Sequence, residues 1–248
     1  YQQYQKKQLR TLLKHFNKIK GIHSSGENFN FYFSSSAVYS SMIEGNVIDL
    51  DSYMKFSASG MNTSGKSFRE IEDLKSAYAF AKTHKPTLKN FLKCHELCSR
   101  TILEEEKYRG AFRDKGVYVF IGKDKRFTGA GEDIVASEMK RLFNDIQILR
   151  KRELTMGQVF YYASMLHLVL VQVHPFADGN GRCARLLEKW FLAEKLGKNA
   201  WFIQSEKLYQ KRIKSYHKNV HIGSDYSNID YDYAIPFLLM LPMSLRLK

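Results

Sequence analysis

The stretch HPFADGNGR, residues 174 to 182, followed shortly by Arg185, decides how this chain is read. It gathers a histidine, one carboxylate, two glycines around an asparagine, and two arginines. Packing seldom asks for such a collection, because most of these side chains are polar and glycine weakens any helix it interrupts. Upstream, QVFYYASMLHLVLVQV (158 to 173) is a long apolar run expected to form a buried central helix, ending where Pro175 disfavours a helical conformation at His174. Downstream, RCARLLEKWFLAEKLG (182 to 197) restarts a helix, with Gly197 as its expected C-cap. Helix, glycine-containing loop and helix N-terminus together present free backbone N–H groups and a favourable dipole to an anion such as phosphate.

The side chains extend that reading. Arg182 and Arg185, three apart, project from nearly the same helix face and can hold phosphate oxygens in bidentate fashion. A single carboxylate, Asp178, suits a magnesium ion that keeps most of its waters and takes further ligands from phosphates. A neutral imidazole at His174 can accept the proton of a hydroxyl as it attacks phosphorus. The combination points to phosphoryl-type or nucleotidyl transfer.

The rest of the chain supplies a scaffold. Its 248 residues, 44% apolar and 14% aromatic, suffice for a folded globular core. FREIEDLKSAYAFAKTH (68 to 84) spaces Ile71, Leu74, Ala77, Tyr78 and Ala81 along one helix face, and Pro86 with Thr87 marks a stop and restart into LKNFLKCHELCSRTIL. EDIVASEMKRLFNDIQIL (132 to 149) opens with acidic residues, as a helix N-terminus prefers. ASGMNTSGKS (58 to 67) is the most linker-like segment. GVYVFIGKDKRFTGAG (116 to 131) breaks the helical rhythm with the alternation of a short hairpin, which either packs on the helices or awaits an extended partner.

Composition also sets exclusions. No run of about 18 apolar residues occurs, so no membrane span is expected, and the polar, basic first residues show no signal peptide, so the expected location is cytoplasmic. Cys94, Cys98 and Cys183 fit a reducing compartment. Cys94 and Cys98 flank His95, but no second ligand pair stands at zinc-site spacing, so packing is expected there. The net charge of +14 and the basic helix expected in KKQLRTLLKHFNKIK (6 to 20) invite a nucleic-acid reading. The charges are spread along the chain with no nucleic-acid-reading motif, so a solvated face is preferred.

HPFADGNGRCAR resembles the signature of the Fic family, His-Pro-Phe-x-Asp/Glu-Gly-Asn-Gly-Arg-x-x-Arg, at every fixed position. LHLVLVQVHPF, with His167 one heptad before the motif, and GAFRDKGVYVFIG, similar to the segment leading into the family's flap hairpin, extend the likeness over most of residues 30 to 220. The resemblance implies an all-α Fic fold: a helical bundle around a central helix-loop-helix motif with a small β-hairpin flap. It implies three parts: an N-terminal helical region (1–85) carrying an inhibitory helix around 34–46, a core (86–225), and a C-terminal segment (226–248).

The implied activity is protein AMPylation, the transfer of AMP from ATP with magnesium to a Ser, Thr or Tyr hydroxyl of a target protein. By position, His174 would be the general base and Asp178 the magnesium ligand. Asn180, Arg182 and the backbone of Gly179 and Gly181 would hold phosphates, and Arg185 would receive the γ-phosphate. The hairpin 117 to 129, with Val117, Tyr118, Val119, Thr128 and Gly129, would dock the target by strand addition. Upstream, SSMIEGN (40 to 46) resembles the family's inhibitory motif Ser/Thr-x-x-x-Glu-Gly/Asn, matched by Ser40, Glu44 and Gly45. A Glu44 carboxylate paired with Arg185 would occupy the cation meant for the γ-phosphate. Tyr209 and Tyr216, in LYQKRIKSYHKN, are candidates to stack on adenine, with core packing as the equal alternative.

The partners implied are ATP, an unidentified target protein, and the protein itself as substrate or homo-oligomer. Nucleic acid and membrane are not expected. Alternatives of the same class are transfer of UMP, phosphate or phosphocholine, and removal of AMP. A non-enzymatic, basic DNA-binding regulator is the alternative of another class, marked by salt-dependent binding that survives loss of His174.

Overall fold

The structure, a computed structural model, describes residues 1–7, 11–20, 26–59, 65–121 and 125–247. The first helices are α1 (Gln2–Lys7), α2 (Leu12–Lys20), α3 (Gly26–Ile43), α4 (Leu50–Ser59), α5 (Lys66–Thr83) and α6 (Leu88–Cys98). After the antiparallel strands β1 (Tyr118–Ile121) and β2 (Lys125–Thr128) come α7 (Glu132–Lys151), α8 (Met156–Val173), α9 (Asn180–Leu196), α10 (Ser205–Lys211) and α11 (Ile213–Val220). Short helices α12 (Ile235–Leu238) and α13 (Met240–Ser244) close the chain. This is the all-α bundle with a small hairpin that the sequence implies, and one hydrophobic core runs from Tyr4 to Leu245.

Helix α8 is the axis. Its first turn is fastened by a capping box, in which the Thr155 hydroxyl accepts from Gln158 N and the Gln158 side chain accepts from Thr155 N. By length and composition alone this helix could cross a membrane, yet 61% of it is buried inside the fold. A helix apolar around most of its circumference must be enclosed. It packs most extensively against α9, with α7, α12 and α13 on other sides. Around this pair, α5 buries the five residues that its spacing singles out: Ile71, Leu74, Ala77, Tyr78 and Ala81. Thr87 caps the restart into α6 by accepting from Asn90 N. The basic N-terminal segment, whose residues 8–10 lie outside the described set, turns Leu12 and Phe16 into the core and leaves Lys6, Lys7, Lys14 and Lys18 outward. In the linker-like segment, α4 continues to Ser59 and residues 60–64 lie outside the described residues.

Helix α3 carries the upstream motif across the bundle. Small buried side chains, Ser34, Ser35, Ser36, Ser40 and Ser41, line its inner face and let it sit close to its neighbours α5 and α10. Polar bonds pin it. Ser35 Oγ donates to Gln204 Oε1 (2.9 Å), and Lys189 Nζ donates to Ser36 Oγ (2.5 Å) and Glu206 Oε2 (2.6 Å). Tyr78 OH donates to Glu206 Oε1 (2.7 Å), so this buried ion pair has hydrogen-bond partners on both members, as burial requires.

The helix expected around 34–46 starts earlier and stops at Ile43. Gly45, at φ +91°, is the reason: its N–H bonds Met42 O while Asn46 N–H reaches back to Ser41 O, the double closure that ends a helix with a left-handed glycine.

Candidate functional site

The site forms where α8 stops. His174 takes the left-handed conformation (φ 53°, ψ 60°), the one non-glycine residue at positive φ among the described residues, with its N–H still bonded to Leu170 O. Such a conformation persists only when its surroundings over-determine it, and Arg113 does this. Arg113, 5% exposed, donates from Nε to His174 O (2.7 Å) and from Nη2 to Val173 O (3.4 Å), which are carbonyls the ending helix cannot satisfy. The same guanidinium reaches Lys115 O (2.6 Å) and Ala130 O, tying the base of the hairpin to the helix end. His174 Nδ1 lies 3.3 Å from Val171 O. A carbonyl can only accept, so Nδ1 carries the proton and Nε2 keeps its lone pair. Burial first, and the Arg113 charge with it, depress the imidazole to about 4, leaving it neutral at neutral pH.

The loop that follows is braced from two sides. The Asn180 amide closes it on itself, with Oδ1 accepting from Phe176 N (2.8 Å) and Nδ2 donating to Phe176 O (2.9 Å). His95, fully buried, accepts from Gly110 N at Nδ1 (2.9 Å) and so donates from Nε2 to Asp178 O (3.0 Å). Its ring stacks on Phe176 at 3.6 Å between centroids, and burial holds its pKa near 4. The His95 ring is therefore a loop support, with both of its nitrogens engaged away from the flanking cysteines. Gly179, at φ +81°, turns the chain into α9, and a Cβ there would press on Ile102 and His95. The first N–H groups of α9, from Asn180, Gly181 and Arg182, are those a helix cannot satisfy internally. Asp178 stands exposed beside them, its Oδ1 accepting from Gly179 N (2.5 Å).

Arg185 lies fully buried one turn further on and spends its donors on three residues. Nε donates to Ser40 Oγ (2.8 Å), Nη2 to Ser40 O (3.0 Å) and to Glu44 Oε1 (2.6 Å), and Nη1 to Tyr216 OH (3.1 Å). Burial works against its charge, but Tyr216 and Glu44 outweigh it and the guanidinium stays protonated. Burial likewise raises the Glu44 carboxyl, while Arg185 and then Arg182 pull it further down, below the usual carboxylate value. The Glu44 side chain keeps 34% of its surface exposed, so the pair straddles the boundary between core and cleft. A Cβ on Gly181 would run into Glu44 Oε1 and lie 3.1 Å from Arg185 Nη1. Arg182 Nη2 meets Glu70 Oε2 at 3.4 Å, and Glu70 also accepts from Asn46 Nδ2 (3.3 Å).

The structure thus brings His174, Asp178, Gly179, Asn180, Gly181, Arg182 and Arg185 into one loop and helix start, with Ser40 and Glu44 delivered on Arg185 from α3. Three expectations need correction. The amide of Asn180 is engaged with Phe176, so this residue shapes the cradle. Tyr209 and Tyr216, 0% and 3% exposed, stack on each other in the core with both hydroxyls bonded, so neither ring face is open to a base. Of the docking residues, Val117, Tyr118 and Val119 lie along β1 and its approach, but the Thr128 N–H already donates to Ser224 O (3.2 Å) and the Gly129 N–H to Val117 O (3.3 Å). Thr128 and Gly129 therefore offer no amide to an added strand, and the turn residues 122–124 lie outside the described residues.

Sequence reasoning missed Arg113, His95 and Glu70. Arg113 stood inside GAFRDKG as an unassigned charge, His95 was noted between two cysteines and read as packing, and nothing local marked Glu70. No cluster of three or more His, Cys, Asp or Glu able to hold a metal occurs among the described residues, and Cys98 and Cys183, with sulfurs 3.6 Å apart, are buried packing residues.

A helical bundle whose axis breaks into a glycine loop and a helix N-terminus, backed by two arginines, is an all-α fold with an arrangement able to hold an anion. Residues 86–192 match the Fic/DOC family. The chain is 29% identical over 192 residues to protein adenylyltransferase fic-1 of Caenorhabditis elegans, covering 68% of this chain and 36% of that protein. It is 30% identical over 155 residues to protein adenylyltransferase Fic of Aedes aegypti, covering 58% of this chain and 29% of the relative. The chain thus spans about a third of these relatives' length. The crystal structure of a Fic family protein from Desulfovibrio desulfuricans superposes with a TM-score of 0.74 at 21% identity, covering 95% of this chain and 71% of that one, a likeness of fold.

Proposed function

We propose that this protein transfers AMP from ATP to a side-chain hydroxyl of a target protein, and that Glu44 restrains the reaction. The observation that carries the proposal is the convergence of three things on one loop: the neutral His174 Nε2, the unsatisfied N–H groups opening α9, and Arg185 bonded to a displaceable carboxylate. The relatives named protein adenylyltransferase support the same reaction class.

In the proposed reaction the target hydroxyl oxygen attacks the α-phosphorus of ATP. Its proton passes to Nε2 of His174, the new O–P bond forms, the bond from α-phosphorus to the bridging oxygen breaks, and pyrophosphate leaves with that electron pair. The opening amides of α9 and Arg182 would hold the phosphate oxygens, with Asn180 and His95 keeping the loop in shape. Asp178 fits magnesium: it is a single exposed carboxylate beside an anion site, which suits an ion that takes its other ligands from water and phosphate. Bound there, the metal would neutralise phosphate charge. Arg185 would receive the γ-phosphate, which must displace Glu44.

The test is incubation of wild type, Glu44→Gly and Glu44→Gly/His174→Ala with α-labelled ATP and magnesium. Label on protein with Glu44→Gly, and none in the double variant, is the expected result. Equal label in both active-loop backgrounds would remove His174 from its role. Label from γ-labelled but not α-labelled ATP would replace AMP transfer by phosphate transfer.

A further inference from the structure

Tyr216 emerges from the site with no role in the reaction, although it touches the residue on which restraint turns. Arg185 can only donate hydrogen bonds, so Tyr216 Oη accepts from Nη1 (3.1 Å). The one phenolic proton then points to His167 Nε2 (3.0 Å). With Nε2 accepting, His167 carries its proton on Nδ1 and donates it to Glu188 Oε2 (2.9 Å), which also accepts from Tyr209 OH (2.8 Å). Each bond thus has one possible direction, from a buried carboxylate through an imidazole and a phenol to a buried guanidinium. Tyr216 is 3% exposed, the other members are fully buried, and burial pushes the Tyr216 hydroxyl up to about 12, so it keeps its proton.

We propose that Tyr216, backed by His167 and Glu188, is a positioning residue that holds the Arg185 guanidinium at the γ-phosphate position once Glu44 has moved away. The inference rests on the assignment of Arg185 to the γ-phosphate. In the restrained state Arg185 is held by Ser40 and Glu44 from α3 and by Tyr216 from α11. When Glu44 leaves, its one directly bonded carboxylate is gone, and two Ser40 contacts on one side of the fork remain. The Tyr216 hydroxyl is then the anchor on the other side. Polarised by the chain behind it, that oxygen carries part of the Glu188 charge to the guanidinium without presenting a carboxylate that would compete with phosphate. A direct carboxylate at that place would act as a second Glu44. The phenol keeps the guanidinium oriented and leaves its outward N–H free for the ligand.

A purely structural role for Tyr216 would lower binding of every nucleotide alike, whereas a positioning role affects only ligands that carry a γ-phosphate. The experiment is therefore calorimetric Kd measurement for ATP and for ADP, with magnesium, on Glu44→Gly, Glu44→Gly/Tyr216→Phe and Glu44→Gly/Glu188→Gln, each checked for cooperative thermal unfolding. In Glu44→Gly, ATP is expected to bind at least tenfold tighter than ADP. Tyr216→Phe, which keeps the ring, should cut that ratio to about threefold or less with ADP affinity unchanged within twofold. Glu188→Gln, which keeps shape and removes charge, should reduce the ratio part of the way, and it serves alone if the Tyr216 variant does not fold. An undiminished ratio in the folded variants overturns the positioning role while leaving Arg185 in place. The absence of any ATP preference in Glu44→Gly itself overturns the assignment of Arg185, and this inference with it.

Discussion

Replacing Glu44 by glycine is the perturbation that bears most directly on the proposed restraint. The carboxylate bonds the Arg185 guanidinium at 2.6 Å, and Arg185 is completely buried while Glu44 is 34% exposed. Two unit charges about 4 Å apart interact by about 4 kcal/mol at the effective dielectric of a protein surface, and by about 1 kcal/mol in water. A pair exposed on one side falls between them, and Glu44 recovers hydration on leaving, so about 2 to 3 kcal/mol is the cost an incoming γ-phosphate must meet. At 1.36 kcal/mol per factor of ten, that is about 30- to 150-fold. Initial rates of AMP incorporation and pyrophosphate release should rise by this factor in Glu44→Gly. Glu44→Gln, which keeps a neutral acceptor for Arg185, should rise less. Stability should move the other way, because Arg185 loses its ionised partner while keeping Ser40 and Tyr216. A folded Glu44→Gly that binds ATP but works within threefold of the wild-type rate would refute the reasoning.

Three further outcomes follow from the geometry. Gly45→Ala places a Cβ in open space, so its cost is the backbone strain of φ +91°, about 1 to 2 kcal/mol; Tm should drop by a few degrees and basal AMP transfer should rise as the end of α3 loosens, and an unchanged Tm would contradict the capping role. Asn180→Ala leaves the buried Phe176 N–H and C=O without partners, about 2 to 3 kcal/mol, so thermal unfolding should shift down by about 5 to 10 °C and activity should fall through loop distortion. His95, His174 and His221 are each held near 4 by burial against about 6.5 when unfolded. Below 6.5 the unfolded chain binds protons that the folded one refuses, so stability is full above that pH and is lost as pH falls towards 4. Melting curves from pH 7 to 4.5 measure this, and a Tm that holds or rises on acidification would count against it.

The helices were legible because their information is local. The apolar spacing of α5, the proline behind His174 and the acidic first turn of α7 act through neighbouring residues, and each element appears where that pattern put it. The hairpin was legible from its alternation, while the occupied amide of Thr128 was not, because its acceptor belongs to Ser224 at the far end of the chain. The two tyrosines show the limit most plainly. An aromatic residue near a nucleotide site reads the same whether its ring faces the ligand or the core, and burial beside Arg185 selects the core.

The sequence by itself determined the chemistry available: a histidine that a following proline stops from continuing its helix, a glycine loop opening a helix, a carboxylate beside it, and two arginines one turn apart. These are set by backbone sterics and helix periodicity, which act over a few residues. The tertiary structure decided which groups complete them. Glu44 reaches Arg185 across 141 positions of sequence, Tyr216 across 31, and Arg113 closes the end of α8 from 61 positions before His174. Such pairings depend on how α3, α9 and α11 pack as rigid bodies, and rigid-body packing is a property of the whole core that no local pattern encodes.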